Sequence, residues 1–339
     1  SQGGMLDIHD YNGQRALAAA GLSNEFRSII HAGGQATRVL DRHGTVLLDQ
    51  PDDGTGLRPE VHRGELRRIL LDSLAPGTVQ WGRKLAAVEP CGPRGDGAHA
   101  LRFADGSTAA ANLVVGADGA WSKVRARVSE VRPAYLGTAY FETYLLDADA
   151  RHPASARLVG GGSMISLAPG QGIVSHREPG GVLHTYVALT RPRDWADAID
   201  VSDDRAARAR IAAEFAGWAP ELVALITDGE TALVPRMLHA LPLGQRWPRT
   251  PGLTLIGDAA HLAPPDGEGA NLAMYDGAEL GQAIAAQPRE LDAAIAVYED
   301  AMFARSATAG AEAAATHALC YDDADAPHGL VAFLRGATS

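Results

Sequence analysis

The segment "LTLIGDAAHLAPPDGEGANLAMYDGAEL", residues 253–280, decides the fold of this chain. Three of its first four residues are apolar, as in a short buried strand, and Gly257-Asp258 follow at once. Two alanines, a histidine, a double proline and two closely spaced glycines come next, before a helical pattern resumes near Ala270. Ligands of open α/β sheets bind beyond the carboxyl ends of the strands. We therefore expect Asp258 to lie at a ligand site.

The residue types in this segment suit a ligand that carries hydroxyl groups. The Asp258 carboxylate can accept hydrogen bonds from a sugar or polyol. Pro264 and Pro265 stiffen the loop, and Gly267 and Gly269 allow backbone N–H groups to approach a ligand closely. The positive end of the following helix favours negative charge in the loop. A strand followed by Gly-Asp is common by itself, so the whole string carries the interpretation.

Composition limits the class of protein. The chain has 339 residues, enough for two domains, and is 46% hydrophobic and 21% charged. A net charge of −11 argues against a nucleic-acid partner or a stable association with anionic membranes. The two cysteines, Cys91 and Cys320, are far apart, which argues against a disulfide framework or a metal site. No stretch resembles a signal peptide, so we expect a cytoplasmic protein.

The first third of the chain mixes helices and strands. The patterns predict a helix over residues 11–22, a hairpin over 36–50 and a helix over 63–77. A short buried strand is expected at Leu113–Val115, followed by a helix that starts soon after Gly119.

The middle of the chain has a different pattern. Residues 133–193 are rich in β-forming residues separated by glycine turns, which is typical of an antiparallel sheet. A helix is predicted from Asp203 to Ile226, and a long alanine-rich helix over residues 288–319. The prediction is an α/β ligand-binding layer interrupted by an antiparallel β domain.

The Gly-Asp segment resembles the second FAD-binding motif of the class A flavin-dependent monooxygenases, the p-hydroxybenzoate hydroxylase-like family. The nearest resemblance within that family is to the tetracycline-inactivating monooxygenases. Four further stretches resemble the same family, and together they extend over almost the whole chain: "GGMLDIH" (3–9), "RGELRRILLDSL" (63–74), "VVGADGAWSKVR" (114–125) and "EFAGWAP" (214–220).

The resemblance implies a set of cofactor-binding residues and no certain catalytic side chain, because the flavin carries the chemistry. The implied FAD-binding residues are Asp7, Arg63, Asp118, Gly119, Gly257, Asp258, Pro265, Gly267, Gly269, Ala270 and Asn271. Simpler roles remain open for some of these positions. Asp118 can belong to a turn with Ser122, and Arg63 can be a solvated residue at a helix start. His261 suits loop packing better than catalysis.

The resemblance also implies the fold and its division. We expect a Rossmann-like FAD/NAD(P)-binding domain, incomplete at its N-terminus, with an inserted antiparallel β-sheet substrate domain and a C-terminal helix. The expected boundaries are residues 1–127 and 230–300 for the FAD-binding domain, 128–229 for the substrate domain and 301–339 for the C-terminal helix.

One element of the family is missing from the sequence. The family begins with a strand–GxGxxG–helix unit that binds the FAD pyrophosphate. Gly95 and Gly97 here are followed by Ala-His-Ala, and no complete GxGxxG occurs. The sequence is therefore expected to be either a portion of a longer protein or a true truncation that weakens FAD binding.

The implied activity is hydroxylation of a phenolic or polycyclic small molecule, with O₂ and NAD(P)H as co-substrates and FAD as cofactor. A tetracycline-type antibiotic is one candidate, which would make the enzyme an antibiotic-resistance factor. Candidate substrate contacts are Gln171, Pro265 and Asp266. A gapless alignment places Pro169 where the tetracycline-inactivating enzymes have a substrate-binding Gln, and Asp266 replaces an aromatic residue, so tetracycline itself stays open.

Three alternatives remain. A flavin halogenase would need a WxWxIP segment, which the sequence does not contain. An FAD-dependent reductase or dehydrogenase would share the fold but would not insert oxygen. A truncated homologue without flavin or catalysis would be a binding or regulatory protein. Flavin absorbance of the purified protein separates the last alternative from the others.

Overall fold

A computed structural model describes residues 4–91 and 98–336 of the chain. The strands are β1 (Met5–Asp7), β2 (Ile30–His31), β3 (Thr37–Leu40), β4 (Val46–Gln50), β5 (Glu60–His62), β6 (Leu85–Pro90), β7 (His99–Phe103), β8 (Thr108–Ala111), β9 (Val114–Gly116), β10 (Ala134–Leu145), β11 (Ser163–Ala168), β12 (Gln171–Glu178), β13 (Val182–Thr190), β14 (Val234–Ala240) and β15 (Leu253–Leu255).

Helices follow or separate most of these strands. They are α1 (Gly13–Ala19), α2 (Ser23–Ser28), α3 (Arg63–Asp72), α4 (Ala148–Arg151), α5 (Pro153–Val159), α6 (Arg193–Asp197), α7 (Asp204–Ala213), α8 (Pro220–Thr227), α9 (Asp258–His261), α10 (Glu268–Ala286), α11 (Leu291–Tyr321) and α12 (His328–Gly336).

The largest sheet has seven strands in the order β14-β10-β13-β12-β11-β3-β4. Side chains alternate between its two faces, as the period of a strand requires. From β10, Phe141 and Leu145 enter a core that the helices α4 to α8 complete. Tyr140 and Glu142 lie on the opposite face, where the Tyr140 hydroxyl is 2.8 Å from that of Tyr321 on α11. One face of the sheet is therefore apolar and helix-covered, and the other is partly polar.

The Gly-Asp segment lies in a second layer. The apolar residues before Gly257 form β15, which pairs in parallel with β9. Leu253 and Leu255 are completely buried against α10 and α11. Asp258 consequently lies immediately beyond the carboxyl end of a parallel strand, as the sequence pattern predicted.

Helix α11 connects the two layers. Its 31 residues extend over about 46 Å at the usual helical rise. Tyr298, near its start, is buried in the core beside β15, and Tyr321, at its end, is buried against the seven-stranded sheet. The same helix is thus part of both cores.

The structure confirms the α/β architecture, the antiparallel region after residue 133 and the long C-terminal helix. Two expected helices differ. The helix predicted over Asp203–Ile226 is divided into α7 and α8, because Gly217 adopts a left-handed φ of +85° and Pro220 starts a new helix. After Gly119 there is a series of turns and a single 3₁₀ turn at Arg125–Arg127 instead of an α-helix.

The sheet pairing also differs from the domain boundaries expected from the sequence. The hairpin β3–β4 and the strand β14 were assigned to the FAD-binding segments 1–127 and 230–300. In the structure β3 pairs with β11 and β14 pairs with β10, so all three strands belong to the seven-stranded sheet. Strand alternation shows that a strand exists but does not show which distant strand it bonds to.

Gly95 and Gly97, the two glycines of the incomplete GxGxxG pattern, lie outside the described residues. Cys91 and Cys320 are both free thiols. Within residues 4–91 and 98–336, the helices are too short or too polar for any of them to cross a bilayer.

Candidate active site

A cavity of about 920 Å³ lies between the Gly-Asp segment and the seven-stranded sheet. One side, which we call the Asp258 wall, consists of the lining residues within 256–274. The facing side, which we call the strand wall, consists of residues 236–239 of β14 together with Trp121. Helix α11 closes a third side with Ser306, Ala309 and Gly310. The volume is within the range that small-molecule and cofactor sites occupy.

Many residues expected from the sequence line this cavity. They are Arg63, Gly119, Gly257, Asp258, Pro265, Asp266, Gly267, Gly269 and Ala270. The list includes residues that are more than 200 positions apart, and the fold brings them to one cavity.

Asp258 opens directly onto the cavity. Its side chain has no hydrogen-bond partner among the described residues, while its backbone oxygen lies 3.4 Å from the Arg125 guanidinium. The surrounding protein removes water from the carboxylate and raises its pKa, and the positive charges of His261 and Arg63 partly oppose that rise. An accessible carboxylate with no protein partner is suited to accept hydrogen bonds from a ligand.

Asp276 holds the turn that carries Asp258. Its carboxylate is completely buried and accepts hydrogen bonds from the Gly257 N–H at 2.9 Å, His261 Nε2 at 2.6 Å and Arg305 at 2.7 Å. Burial alone would raise the pKa of Asp276, but these donors outweigh it and hold the pKa below its usual value. The sequence reasoning missed this residue. A carboxylate in an otherwise apolar helix face, 18 residues after Asp258, was the available signal.

Arg125 fixes the same turn from the other side. Its buried guanidinium donates to the backbone oxygens of Ala259 at 3.0 Å and of Ala120 at 2.5 Å. It therefore ties the Gly-Asp turn to the loop that follows β9. Both contacts are to backbone oxygens, so the positions of the two loops depend on one side chain.

The glycines of the Asp258 wall provide a backbone surface without side chains. Gly267 adopts a φ of +98° at the N-cap of α10, and the first residues of this 19-residue helix line the cavity. The Asp266 carboxylate accepts the Glu268 N–H at 3.0 Å. A Cβ atom at position 267 would lie 3.2 Å from the oxygens of the Asp7 carboxylate. The tight packing at Gly267 thus requires glycine.

Asp7 and Asn271, both expected to bind the cofactor, have protein partners behind the wall. The Asp7 carboxylate accepts from His9 Nε2 at 2.8 Å, and His9 also contacts Glu268 at 2.7 Å. Burial opposes protonation of His9, but the two carboxylates raise its pKa to about 9. The Asn271 side chain bonds the His9 N–H at 3.0 Å and the Asp7 backbone oxygen at 2.9 Å. Both side chains join β1 to the start of α10.

Asp118 is used within its own loop. Its carboxylate accepts hydrogen bonds from the Ser122 hydroxyl at 2.5 Å and the Lys123 N–H at 2.7 Å. The neighbouring Gly119 lines the cavity with a φ of +78°. The turn with Ser122, one of the two interpretations of this motif, is what the structure shows.

Gln171 is not at the cavity. Its amide nitrogen donates to the Glu214 oxygen at 2.8 Å, and its oxygen accepts from Trp218 Nε1 at 3.2 Å. Both partners belong to the segment between α7 and α8, away from the cavity lining. The expectation that Gln171 contacts substrate is therefore corrected: the side chain connects β12 to that segment. Of the three candidate substrate residues, Pro265 and Asp266 do line the cavity.

The strand wall was not identified from the sequence. Arg236 forms two hydrogen bonds with Glu142, at 2.9 and 2.8 Å. The His239 ring lies against Trp121, with ring centroids 5.1 Å apart, and Trp121 is 64% exposed although it lines the cavity. β10 carries an irregular register where it pairs with this strand. Such irregularities re-aim side chains, so the sequence alternation could not reveal which residues face the cavity.

Three features of the described residues suit the binding of FAD. The cavity has an accessible carboxylate without a protein partner among the described residues, a glycine-rich backbone surface and a helix N-terminus on one wall. A flavin needs polyol contacts and a positive electrostatic environment for its reduced, anionic ring. Asp258 would contact the ribityl chain, and the start of α10 would lie at the ring.

Comparisons with known proteins identify the family of this chain. The profile of the "FAD binding domain" family matches residues 18–301. A 3-amino-4-hydroxybenzoate 2-monooxygenase from Streptomyces cremeus is 30% identical over 316 residues, which covers 87% of this chain and 73% of that protein.

Solved structures show the same fold. The chain superimposes on HpxO from Klebsiella pneumoniae in complex with FAD, with a TM-score of 0.80 and 24% identity, over 98% of this chain and 85% of that one. It also superimposes on the tetracycline destructase Tet(51), with a TM-score of 0.65 and 17% identity, over 91% of this chain and 79% of that one.

Proposed function

The chain belongs to the FAD-binding domain family of flavin-dependent monooxygenases, and from that membership we propose that it uses NAD(P)H and O₂ to hydroxylate an aromatic or polycyclic small molecule. The relative from Streptomyces cremeus acts on an aminohydroxybenzoate, which supports an aromatic substrate. Tetracycline is the polycyclic candidate suggested by the sequence resemblance, and the likeness to Tet(51) extends to the fold alone.

The accessible Asp258 carboxylate carries this proposal. It lies beyond the carboxyl end of β15, opens onto the cavity and has no protein partner among the described residues. Asp258 would bind the ribityl hydroxyls, and Arg63 would contact the ribityl–phosphate region. Gly257, Pro265, Gly267, Gly269 and Ala270 would form the surface under the ring. Bound FAD would supply the electron transfer and the oxygen activation.

The protein's own contribution is electrostatic and steric. The N-terminal end of α10 carries the positive end of a long helix, which stabilises negative charge at a ring bound there. Asp276 and Arg125 hold the Gly-Asp turn, so Asp258 is positioned before the cofactor binds. Helix α11 and β14 form two further sides of the cavity.

We also propose that the two layers bind different molecules. The layer of β9, β15, α10 and the first part of α11 would bind FAD, and the seven-stranded sheet would bind the substrate. Because β3–β4 and β14 pair within that sheet, they would belong to the substrate part. This changes the sequence-based boundaries 1–127, 128–229 and 230–300 at those three strands.

The decisive experiment measures oxygen insertion in the protein expressed from its full reading frame. The purified protein should show the absorbance of oxidised flavin, and NADPH or NADH should bleach it. Aromatic hydroxy compounds and tetracycline should then be incubated under ¹⁸O₂ and analysed by mass spectrometry. One ¹⁸O atom per product molecule is expected. If NAD(P)H bleaches the flavin but no substrate receives oxygen, the protein is a reductase. If the purified protein contains no flavin, the assignment of the FAD site is wrong.

A further inference from the structure

The strand wall contains a hydrogen-bond acceptor that the proposed cofactor does not need. His239 lines the cavity from β14, and its Nδ1 lies 2.7 Å from the Met237 backbone oxygen. A carbonyl oxygen can only accept, so Nδ1 must carry the proton. In the neutral ring Nε2 is then an acceptor. This nitrogen has no partner among the described residues and is not enclosed by protein.

The position of the His239 ring is fixed by two aromatic neighbours. Trp121 contacts it edge-on at 5.1 Å, and Tyr135 lies at 5.8 Å between ring centroids. The Tyr135 hydroxyl donates to the Arg191 oxygen at 2.9 Å, so it is not available to His239. Only Trp121 of these two lines the cavity, and its indole is mostly exposed there. An accessible indole next to a fixed acceptor suits a flat ring that carries a donor.

The cation of the strand wall is already paired with a carboxylate. Arg236 is the cation on β14 that lines the cavity, and its guanidinium is paired with Glu142 through two hydrogen bonds. On the facing side, the Glu268 carboxylate is paired with His9 at 2.7 Å, and Asp266 accepts a hydrogen bond from the Glu268 N–H at 3.0 Å. The strand wall therefore presents a hydrogen-bond acceptor and an indole to a substrate, while its Arg236 is already committed to Glu142.

We propose that His239 and Trp121 form the substrate-recognition site, and that the substrate is a planar aromatic molecule with an O–H or N–H group that donates to His239 Nε2. This inference rests on the proposed monooxygenase function, because it places the substrate between the flavin site and β14. His239 is a specificity-determining residue and Trp121 supplies the stacking surface.

The test uses equilibrium binding to the oxidised, FAD-loaded protein without NAD(P)H. The probes are 2-naphthol and 2-methoxynaphthalene, which differ in one donor, and binding is followed by the change in flavin absorbance. The wild-type protein should bind 2-naphthol about tenfold more tightly, because the ether leaves the acceptor unpaired. His239→Phe keeps a flat ring without an acceptor and should reduce the preference to within about twofold. His239→Leu also removes the acceptor and should reduce the preference for 2-naphthol in the same way.

Trp121→Phe should weaken the binding of both probes by about threefold to fivefold, because the phenyl ring provides a smaller stacking surface. The ratio of the two dissociation constants should not change. The proposal is overturned if the wild-type protein binds neither probe or does not prefer 2-naphthol. Persistence of the preference in His239→Phe or His239→Leu overturns it as well, and unchanged affinities in Trp121→Phe remove the stacking surface. These results leave the proposed function intact as long as the protein binds FAD and inserts oxygen.

Discussion

The Asp258 wall and the strand wall of the cavity differ in the burial and the hydrogen bonding of the side chains that support them. Behind Asp258, the carboxylate of Asp276 is fully buried and accepts three hydrogen bonds. On the strand wall, Trp121 is 64% exposed and the Arg236 side chain is 58% exposed. The first wall is thus supported by a buried polar network and the second by surface side chains. Cofactor binding needs a fixed geometry, whereas a substrate surface can change without disturbing the fold.

The same difference explains what the sequence could predict. The Asp258 wall is built from glycines, prolines and one acid in consecutive positions, and each of these residue types restricts the backbone in a recognisable way. The strand wall depends on the pairing of β14 with β10 across about 100 residues of sequence and on an irregular register. No local pattern encodes that pairing, so His239 and Trp121 were not recognised, and Gln171 was placed at the cavity in error.

The largest expected effect is on the network behind Asp258. Asp276→Asn removes a buried charge that faces Arg305 and His261, and it should lower the free energy of unfolding by about 3 kcal/mol. Chemical denaturation followed by circular dichroism measures it. Asp300→Asn, which neutralises an exposed carboxylate on the neighbouring helix, should change the stability by less than about 0.5 kcal/mol. Equal stabilities for the two variants would show that the buried Asp276 carboxylate does not stabilise the Asp258 wall.

Asp258→Ala should weaken FAD binding about thirtyfold, or about 2 kcal/mol, because it removes the proposed acceptor for the ribityl hydroxyls. Asp258→Asn keeps one acceptor oxygen and should lose less. Titration of the cofactor-free protein with FAD gives the dissociation constants. The stability of both variants should stay close to wild type, since the carboxylate has no protein partner among the described residues. Stoichiometric FAD in purified Asp258→Ala would contradict the assignment.

The junction between β1 and α10 should make stability depend on pH. The pKa of His9 is raised from about 6.5 to about 9 by Asp7 and Glu268 against the effect of burial. Because the folded-state pKa is the higher one, this contribution is complete below pH 6.5 and is lost as pH rises through 9. Solvent screening limits the loss to about 1–2 kcal/mol.

Denaturation at pH 6, 7.5 and 9.5 measures this loss, and His9→Gln should reduce it. His43→Gln is the matched control, because His43 is exposed and lies far from the junction in sequence. An identical pH profile in His9→Gln and wild type would remove His9 as its source.

The smallest expected effect tests the correction at Gln171. Gln171→Ala removes the acceptor of Trp218 Nε1 and should cost about 1 kcal/mol of stability. The affinities for FAD and for 2-naphthol should not change, because Gln171 lies outside the cavity lining. A decrease in 2-naphthol affinity beyond about threefold, at unchanged FAD affinity, would return this residue to the substrate site.

Helix α11 should limit the motion of the two layers relative to each other. Its early residue Tyr298 is anchored beside β15 and its last residue Tyr321 is anchored on the seven-stranded sheet. One continuous rod embedded in both layers resists hinge bending between them, because bending would break its hydrogen bonds or extract a buried tyrosine. Entry and exit of small molecules should then depend on loops at the rim, and heating should melt both layers in a single calorimetric transition.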